Sequence, residues 1–339
     1  MVTRPLQSPR FNDMKHLTSA LISAALFTGA AMLSPVAAFA ASCCGGGSAA
    51  SLSVPKYATA VADLSFDTEL YDGYWIQDGK HVPDPPGSDF KQYRLNLGVG
   101  YRFATDWQAS VSLPYVWNDN RYAVGDSHTN GMGDTVISLM YEVLDDNSVW
   151  KVRDLGDMIP GVTLGVSLLI PTGISKYDSV KTSEDITGRG FYRLDGTLLI
   201  EKTIRPWNAS LAFGYGTYLE RSINREYGDF IEPYKKDLGD RFSASISTGY
   251  TYVLGTGGDS ITGTVSYAYL NEADASLDAR RESGSGFYKQ SVGGALSYSN
   301  NDNNWSIRAG WNHAIKQNGW GQNFPTTDVV SVGVRYVFL

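Results

Sequence analysis

Apolar and polar residues alternate along most of the chain after residue 57. The alternation is clearest in the final segment, 328–339 (DVVSVGVRYVFL), where every second residue is apolar and Ser, Gly and Arg fall between. Because successive side chains of a β-strand point to opposite faces, such a row predicts a strand with one apolar and one polar face. Twelve segments of this kind can be counted, and their apolar rows lie within residues 60–70, 93–103, 107–117, 135–143, 162–170, 192–200, 207–215, 246–252, 265–269, 292–298, 305–313 and 330–338.

The connections between these rows alternate in length. Short ones fall at Thr105-Asp106, Arg205-Pro206, 255–259 and 300–304, and long ones at 73–89, 118–132, 172–190, 220–237, 271–287 and 317–327. Short turns at one end and long loops at the other are typical of outer-membrane barrels, whose short turns are periplasmic. The connection 145–160 departs from this rule with sixteen residues: either it contains a small helix or the strands are miscounted there. Twelve strands are expected, and ten or fourteen also fit.

The positions between the apolar rows are mostly small or polar. Examples are Arg94-Asn96-Gly98, Ser243-Ser245-Ser247 and Thr262-Thr264-Ser266, where a soluble barrel or sandwich would place Val, Leu and Ile. After residue 40 there is no run of about 18 apolar residues, which excludes a spanning helix in the mature chain. The sequence therefore predicts an all-β fold, a transmembrane antiparallel up-and-down β-barrel with lipid-facing apolar rows, short periplasmic turns and long extracellular loops.

Aromatic residues mark the predicted membrane interface. Trp107, Trp207 and Trp305 each begin the strand that follows a short turn, and Tyr336 and Phe338 end the last strand. Trp and Tyr rings prefer the boundary between lipid and water. We therefore expect these five residues to anchor the barrel at its periplasmic rim.

The final strand has a further consequence for assembly. With Ser331, Gly333, Tyr336 and Phe338 near the chain end, it resembles the C-terminal recognition strand of bacterial outer-membrane barrels. That family usually ends on the aromatic residue itself, whereas Leu339 follows here. The resemblance implies insertion into outer-membrane lipid by the barrel-assembly machinery, and this strand must pair with the first one to remove the last open edge.

The N-terminus has the features of a secretory signal. Met14-Lys15-His16 is a short cationic start, 17–33 is apolar, and Ala38-Phe39-Ala40 is a small-x-small cleavage site. We expect an N-terminal extension and signal peptide at 1–40, a flexible leader rich in Cys, Gly and Ser at 41–56, and an outer-membrane β-barrel at 57–339.

The two cysteines, Cys43 and Cys44, are adjacent in the predicted leader. Neighbouring residues cannot form a relaxed disulfide, since bridge geometry requires a larger Cα separation. Three interpretations stay open: lipid modification of Cys43, metal or redox binding by the thiol pair, and a mobile tether with neither role. Two thiols fall short of the four ligands of a closed zinc site, so no metal site or cofactor is predicted.

The predicted inner face carries few charges, of mixed sign. Acidic side chains at Asp63, Asp67 and Glu69 on the first strand are matched by arginines elsewhere. A lumen that strongly selects anions or cations would carry a dominant ladder of one sign. We predict that the charged residues pair across a polar, weakly selective lumen, and that the candidates for selectivity are Arg94, Arg102, Glu142, Arg193, Asp195, Glu201, Arg308 and Arg335.

Two internal motifs resemble those of a broad outer-membrane barrel family associated with the meta-cleavage pathway of phenol degradation and described as transporter-like. They are Gly131-Met132-Gly133-Asp134, which opens a strand, and 168–173 (LLIPTG), which closes the next one with Ile where the family has Leu. The resemblance implies an outer-membrane location and passage of small organic compounds. From the residues themselves we predict a channel or facilitator for small solutes, the alternative being a closed docking barrel that binds a partner through its loops or leader.

Other functions have weaker support in the sequence. A phospholipase-like barrel would need Asn, His and Ser on the lipid side at the outer rim; His313 lies in a lipid-facing row, but Asn312 points to the other face and no Ser is nearby. No enzyme activity is therefore predicted. A net charge of −7 and the lack of a basic patch argue against nucleic-acid partners. The oligomeric state stays open.

Overall fold

The computed structural model describes residues 52–75, 80–122, 125–180, 185–255, 258–319 and 325–339. The predicted signal peptide and most of the predicted leader, including Cys43 and Cys44, lie outside these residues. Within these ranges no helix is long and apolar enough to cross a membrane.

Twelve antiparallel strands form a closed ring. Each strand pairs with its neighbours in sequence order, and the last strand pairs with the first, from Ala60 opposite Phe338 to Leu70 opposite Asp328. The strands are β1 Ala60–Trp75, β2 Asp89–Ala104, β3 Trp107–Tyr122, β4 Thr135–Leu144, β5 Gly161–Ile170, β6 Arg193–Ile204, β7 Trp207–Tyr218, β8 Arg241–Val253, β9 Ser260–Glu272, β10 Phe287–Ser299, β11 Trp305–Gly319 and β12 Pro325–Phe338.

The prediction of a twelve-stranded transmembrane barrel is confirmed, and the irregular connection 145–160 does not change the count. That connection contains a 3-10 turn at Gly156–Met158 and a bridge between Val149 and Ile204. Lys202 holds it against the barrel by donating to Asp146 Oδ1 over 2.7 Å and to the Ile159 carbonyl over 3.1 Å. The extra residues are therefore a folded turn on the periplasmic side.

The predicted long connection 118–132 is largely a hairpin. Strand β3 continues to Tyr122 and pairs with a further strand, Gly125–Met132. Its sequence has no apolar row, as expected of a strand outside the membrane, where both faces can be polar. Outer loops 4 (219–240) and 5 (273–286) also contain strands, Arg221–Glu226, Asp229–Asp237, Ser276–Leu277 and Arg280–Arg281, which pair into a small separate sheet.

The two faces of the wall have the polarity that the sequence predicts. Apolar residues of the outer rows are exposed on the surface of the isolated chain, as Leu64, Val99 and Val332 show. Polar residues of the inner rows are buried, among them Asp63 and Gln108. This arrangement is the reverse of a soluble barrel and suits a wall that has lipid outside and a polar lumen inside.

The aromatic residues at the short turns form pairs along one rim. Ring centroids are 4.8 Å apart for Trp107 and Tyr141, 4.9 Å for Trp207 and Tyr250, and 5.4 Å for Trp305 and Tyr298. At the end of β12 the rings of Tyr336 and Phe338 are likewise 4.8 Å apart. In this arrangement each tryptophan packs on an aromatic residue of an adjoining strand. Their role as membrane anchors stays a prediction.

Residues 52–56, assigned to the flexible leader in the sequence analysis, are packed against the barrel. Leu52 and Val54 are buried in a cluster with Ala58, Val61 and Val337. Because Val61 and Val337 lie on the inner face of β1 and β12, this segment lies inside the lumen at its periplasmic end.

A charge introduced on the outer face should destabilise the barrel. Val332→Arg places a guanidinium in lipid, and we expect a loss of about 2–4 kcal/mol of unfolding free energy, measured by urea titration in liposomes. Asn312→Arg, on the inner face of the adjacent strand, is the control and should cost much less. Equal losses for the two variants would contradict the assignment of faces.

Candidate functional site in the lumen and at its outer mouth

Charged side chains from both ends of the chain meet inside the barrel. Arg308 of β11 donates two hydrogen bonds of 2.6 Å to the two carboxylate oxygens of Asp63 on β1. Arg335 of β12 donates to the same carboxylate over 3.0 Å. A two-pronged contact of this kind fixes the guanidinium in one plane. The three side chains therefore tie β11, β12 and β1 together on the inner face of the closing seam.

A second polar group lies nearer the outer end of β1. Arg94 Nη2 lies 3.9 Å from Glu69 Oε2, and Asn96 Nδ2 donates to Asp67 Oδ2 over 2.8 Å. The other oxygen of Asp67, Oδ1, is buried and accepts no hydrogen bond from the protein. Inside a polar lumen, water is the natural donor for such an oxygen.

The remaining predicted lumen charges lie towards the two ends of the pore. At the periplasmic end Arg102 donates to Glu142 over 2.5 Å, and at the outer end Arg193 donates to Asp195 over 2.7 Å. Glu201 is exposed to the lumen and makes no ion pair within the described ranges. The eight predicted residues thus share the inner face but form several separate groups. Their part in selectivity stays a prediction.

The two family-like motifs meet at the outer rim around Asp134, which joins Gly125–Met132 to β4. The carboxylate of Asp134 accepts hydrogen bonds from the backbone N–H of Gly173, over 3.1 Å, and of Arg189, over 2.8 Å. Thr172 Oγ1 donates to the Gly133 carbonyl over 2.6 Å. A Cβ atom on Gly188 would lie 2.1 Å from Asp134 Oδ1, so glycine is required there.

Asp134 therefore holds both ends of outer loop 3 (171–192). Burial raises the pKa of this carboxyl, and the two backbone N–H donors act in the opposite direction. Between its ends the loop folds inward: Asn118, on the inner face of β3, donates to the Ile186 carbonyl over 3.0 Å, and Ser127 donates to Asp185 over 2.5 Å.

The guanidinium of Arg189 connects loop 3 to strands further round the wall. It donates to Glu272 at the end of β9 over 2.6 Å and to the Tyr218 hydroxyl at the end of β7 over 2.9 Å. Since its backbone is held beside β4, Arg189 bridges strands that are five positions apart in the ring of twelve. Loop 3 thus extends over part of the outer mouth.

Outer loop 4 packs on loop 3 from above. The N–H of Tyr227 donates to the Lys176 carbonyl over 2.8 Å, and that of Gly228 donates to the Asp178 carbonyl over 3.1 Å. An aromatic and aliphatic cluster joins the two loops to β7 and consists of Tyr177, Phe191, Tyr218 and Ile223, with Ile231, Tyr234 and Leu238 against it. The mouth is therefore covered in part by a packed structure with its own small core.

Arg189, Tyr218 and Glu272 belong to no motif from which a functional role can be predicted. Asp134 belongs to one of the two family-like motifs, but the sequence alone assigns it no role. The two motifs, Gly133-Asp134 and Thr172-Gly173, are the only feature of the sequence that points to this region. Contacts between separate loops, such as those of Arg189, cannot be inferred from one sequence. The described residues contain no group of His, Cys, Asp and Glu side chains suited to a metal ion.

His313 has a polar partner on the outer face. Its Nδ1 lies 2.9 Å from Asp328 Oδ1, and Trp311 Nε1 donates to the same oxygen over 2.9 Å. A hydrolase of the phospholipase type would also need a serine at hydrogen-bond distance from the imidazole. In the part of the chain that is described, no serine hydroxyl contacts His313, and its partner is Asp328 rather than Asn312.

The family model described as "Putative MetA-pathway of phenol degradation" matches residues 103–331, more than half of the chain. The protein therefore belongs to this family of outer-membrane-type barrels, as the two motifs indicated. No curated protein matches the chain.

Two solved structures show the range of similarity to known folds. The COG4313 outer membrane channel from Pseudomonas putida F1 superposes with a TM-score of 0.62 and 11% identity over 87% of this chain and 99% of that one. The toluene transporter TodX of Pseudomonas putida has a TM-score of 0.38 and 11% identity over 82% of this chain and 89% of that one. The first similarity establishes the fold alone, and the second is too distant to support an argument.

Removal of the Asp134 carboxylate should release loop 3 without unfolding the wall. In Asp134→Ala the N–H groups of Gly173 and Arg189 lose their acceptor, so we expect limited proteolysis to cut within 172–190 much faster than in the wild type. Asp126→Ala, an exposed carboxylate of the neighbouring hairpin, is the control. Unchanged cleavage of the Asp134 variant would show that the carboxylate does not hold the loop.

Proposed function

We propose that this protein is a channel of the bacterial outer membrane through which small solutes diffuse. The observation that supports it is the inner face of the barrel, where Ser, Gly, Asn and Thr alternate with arginine–carboxylate pairs. Small polar side chains leave space for water and do not bind a solute tightly, and conduction requires weak binding. Residence in the outer membrane agrees with the fold and with the predicted signal peptide.

The charges favour a pore with little preference for either sign of ion. Asp63 is paired with two arginines, while Asp67 lies among a mixed set of Arg94, Asn96 and Glu69. A solute that passes such a lumen should be small and polar or uncharged. Small organic compounds meet this description, and the family description is compatible with them.

Reconstitution tests the proposal directly. Purified protein in planar bilayers should give discrete current steps, and proteoliposomes should swell in small sugars at a rate that falls with sugar size. The same preparation denatured before insertion is the control. If folded protein in the bilayer gives neither current nor solute flux, the channel function is wrong.

One observation favours a second function, a barrel whose outer loops bind another molecule. Loops 4 and 5 form a sheet of their own, with Lys236 opposite Leu277, which presents an ordered surface outside the membrane. In that case a crosslinked partner should be recovered from cells and lost when 276–281 is replaced by Gly and Ser. Reconstituted protein would then carry no current.

Loss of one lumen arginine should change ion preference. In Arg308→Ala the Asp63 carboxylate keeps Arg335 as its single cationic partner, so the lumen gains one negative charge. The attraction between a carboxylate and a monovalent cation about 4 Å away in water is about 1 kcal/mol, so the cation-to-anion permeability ratio should rise about fivefold. The ratio is obtained from reversal potentials in a salt gradient. Lys91→Ala removes the same charge from the outer face of β2, where Lys91 pairs with Asp89 over 2.6 Å, and should leave the ratio unchanged. A ratio unaffected by Arg308→Ala would exclude this pair from the ion path.

A further inference from the structure

Residues 52–58, which we call the strap, turn back into the barrel from the start of β1. The N–H of Thr59 donates to the Phe338 carbonyl over 2.8 Å, and a turn is closed by Ala58 N–H to the Pro55 carbonyl over 2.9 Å. From there the strap follows the inner face away from the rim: Val54 lies beside Gly100, which is opposite Val61 of β1, and Leu52 lies beside Gly98, which is opposite Asp63. The strap therefore runs from the periplasmic rim into the lumen.

The inner wall has a shape and a polarity that match the strap. A Cβ atom on Gly100 would lie 2.9 Å from a Val54 methyl group, and one on Gly98 would lie 3.4 Å from Leu52. Val61 and Val337 are apolar residues of the inner face, and both are buried in one cluster with Leu52, Val54 and Ala58 of the strap. Without the strap these two side chains would face water, so the wall is built to receive an apolar segment at this place.

Polar contacts fix the register of the strap. The N–H of Val54 donates to Gln108 Oε1 over 2.5 Å, and its carbonyl accepts a hydrogen bond from Arg102 Nη2. Lys56 forms ion pairs with Asp106 over 3.4 Å, with Glu142 over 3.6 Å and with Asp145. The hydrogen bond to Asp145 is the main reason that the pKa of Lys56 is raised, so its ammonium group stays charged over the physiological pH range.

We propose that the strap is a fixed constriction in the periplasmic half of the lumen and that it limits the conductance of the pore and the size of the solutes that pass. The inference rests on the proposed channel function. It assigns a role in specificity to Leu52, Val54 and Lys56. An extended chain is about 5 Å wide, so the strap takes up part of the cross-section of the lumen.

Single-channel conductance tests whether the strap limits the pore, and substitutions rather than a deletion keep the chain length unchanged. The triple variant Leu52→Ser, Val54→Ser and Lys56→Ser loses both apolar contacts and the three ion pairs. We expect the strap to leave the wall, single-channel conductance to rise by a factor of about 1.5 to 2 as the chain vacates its width, and larger sugars to pass. Tyr57→Ser changes a residue of the same segment that is 59% exposed, and should conduct like the wild type.

The conductance of the wild type and of the triple variant together show whether the proposed role of the strap or the proposed channel function is wrong. If the wild type conducts and the triple variant conducts equally, the strap does not limit the pore and the inference is wrong. If neither protein conducts, although both migrate as folded barrels in unheated gels, the channel function fails instead. A triple variant that conducts where the wild type does not would support the strap as a limit on passage.

Thiol labelling tests the position of the strap without any need for conduction. In a chain with Cys43→Ser and Cys44→Ser, Val54→Cys should react with a membrane-impermeant thiol reagent far more slowly than Tyr57→Cys, because Val54 is 1% exposed. Adding the Leu52→Ser and Lys56→Ser changes should accelerate labelling of Val54→Cys. Equally fast labelling at 54 and 57 in the otherwise unchanged strap would overturn the inference.

Discussion

Pairing of β12 with β1 is the constraint on which the rest of the structure depends. Lipid offers no hydrogen-bond partner, so a sheet in a bilayer must satisfy every backbone N–H and C=O group within the protein, and only a closed ring does so. Here the register runs unbroken from Ala60 opposite Phe338 to Leu70 opposite Asp328. Closure also fixes which side chains face outward, because a shift of one residue would move the whole apolar row into the lumen.

Closure places residues from the two ends of the chain beside each other, and on the inner face some of these residues form ion pairs. Asp63 receives hydrogen bonds from Arg308 and Arg335, which are far away in sequence. Next to them Gly333 leaves space that the Arg308 side chain fills, since a Cβ there would lie 3.2 Å from the guanidinium. The small residues of the lumen therefore have two uses: some leave room for water, and others make room for the paired charges.

The wall could be predicted from the sequence because lipid imposes a regular pattern on it. Alternation located all twelve strands, and the tryptophans at the short turns located one rim. Outside the membrane this constraint disappears, so the sequence predicts a loop where the polar hairpin ending in Gly125–Met132 lies. Loop 3 could not be predicted at all, because its position depends on Asp134 binding two distant backbone N–H groups. The strap was missed for a related reason: Leu52 and Val54 stand in a short stretch where no repeating row marks them as buried.

Different segments enter the two ends of the lumen because the connections at the two ends differ in length. Outside, connections such as loop 3 are long enough to fold inward and be held by hydrogen bonds to the wall. At the periplasmic end, Thr105-Asp106 and Arg205-Pro206 are too short to enter the lumen, and the longer link 145–160 is held by Lys202, which lies on the outer row of β6. The segment preceding β1 is therefore the part of the described chain that can fold inward at this end. Its entry accounts for the close packing of Leu52 and Val54 against Gly98 and Gly100 and for the burial of Val61 and Val337.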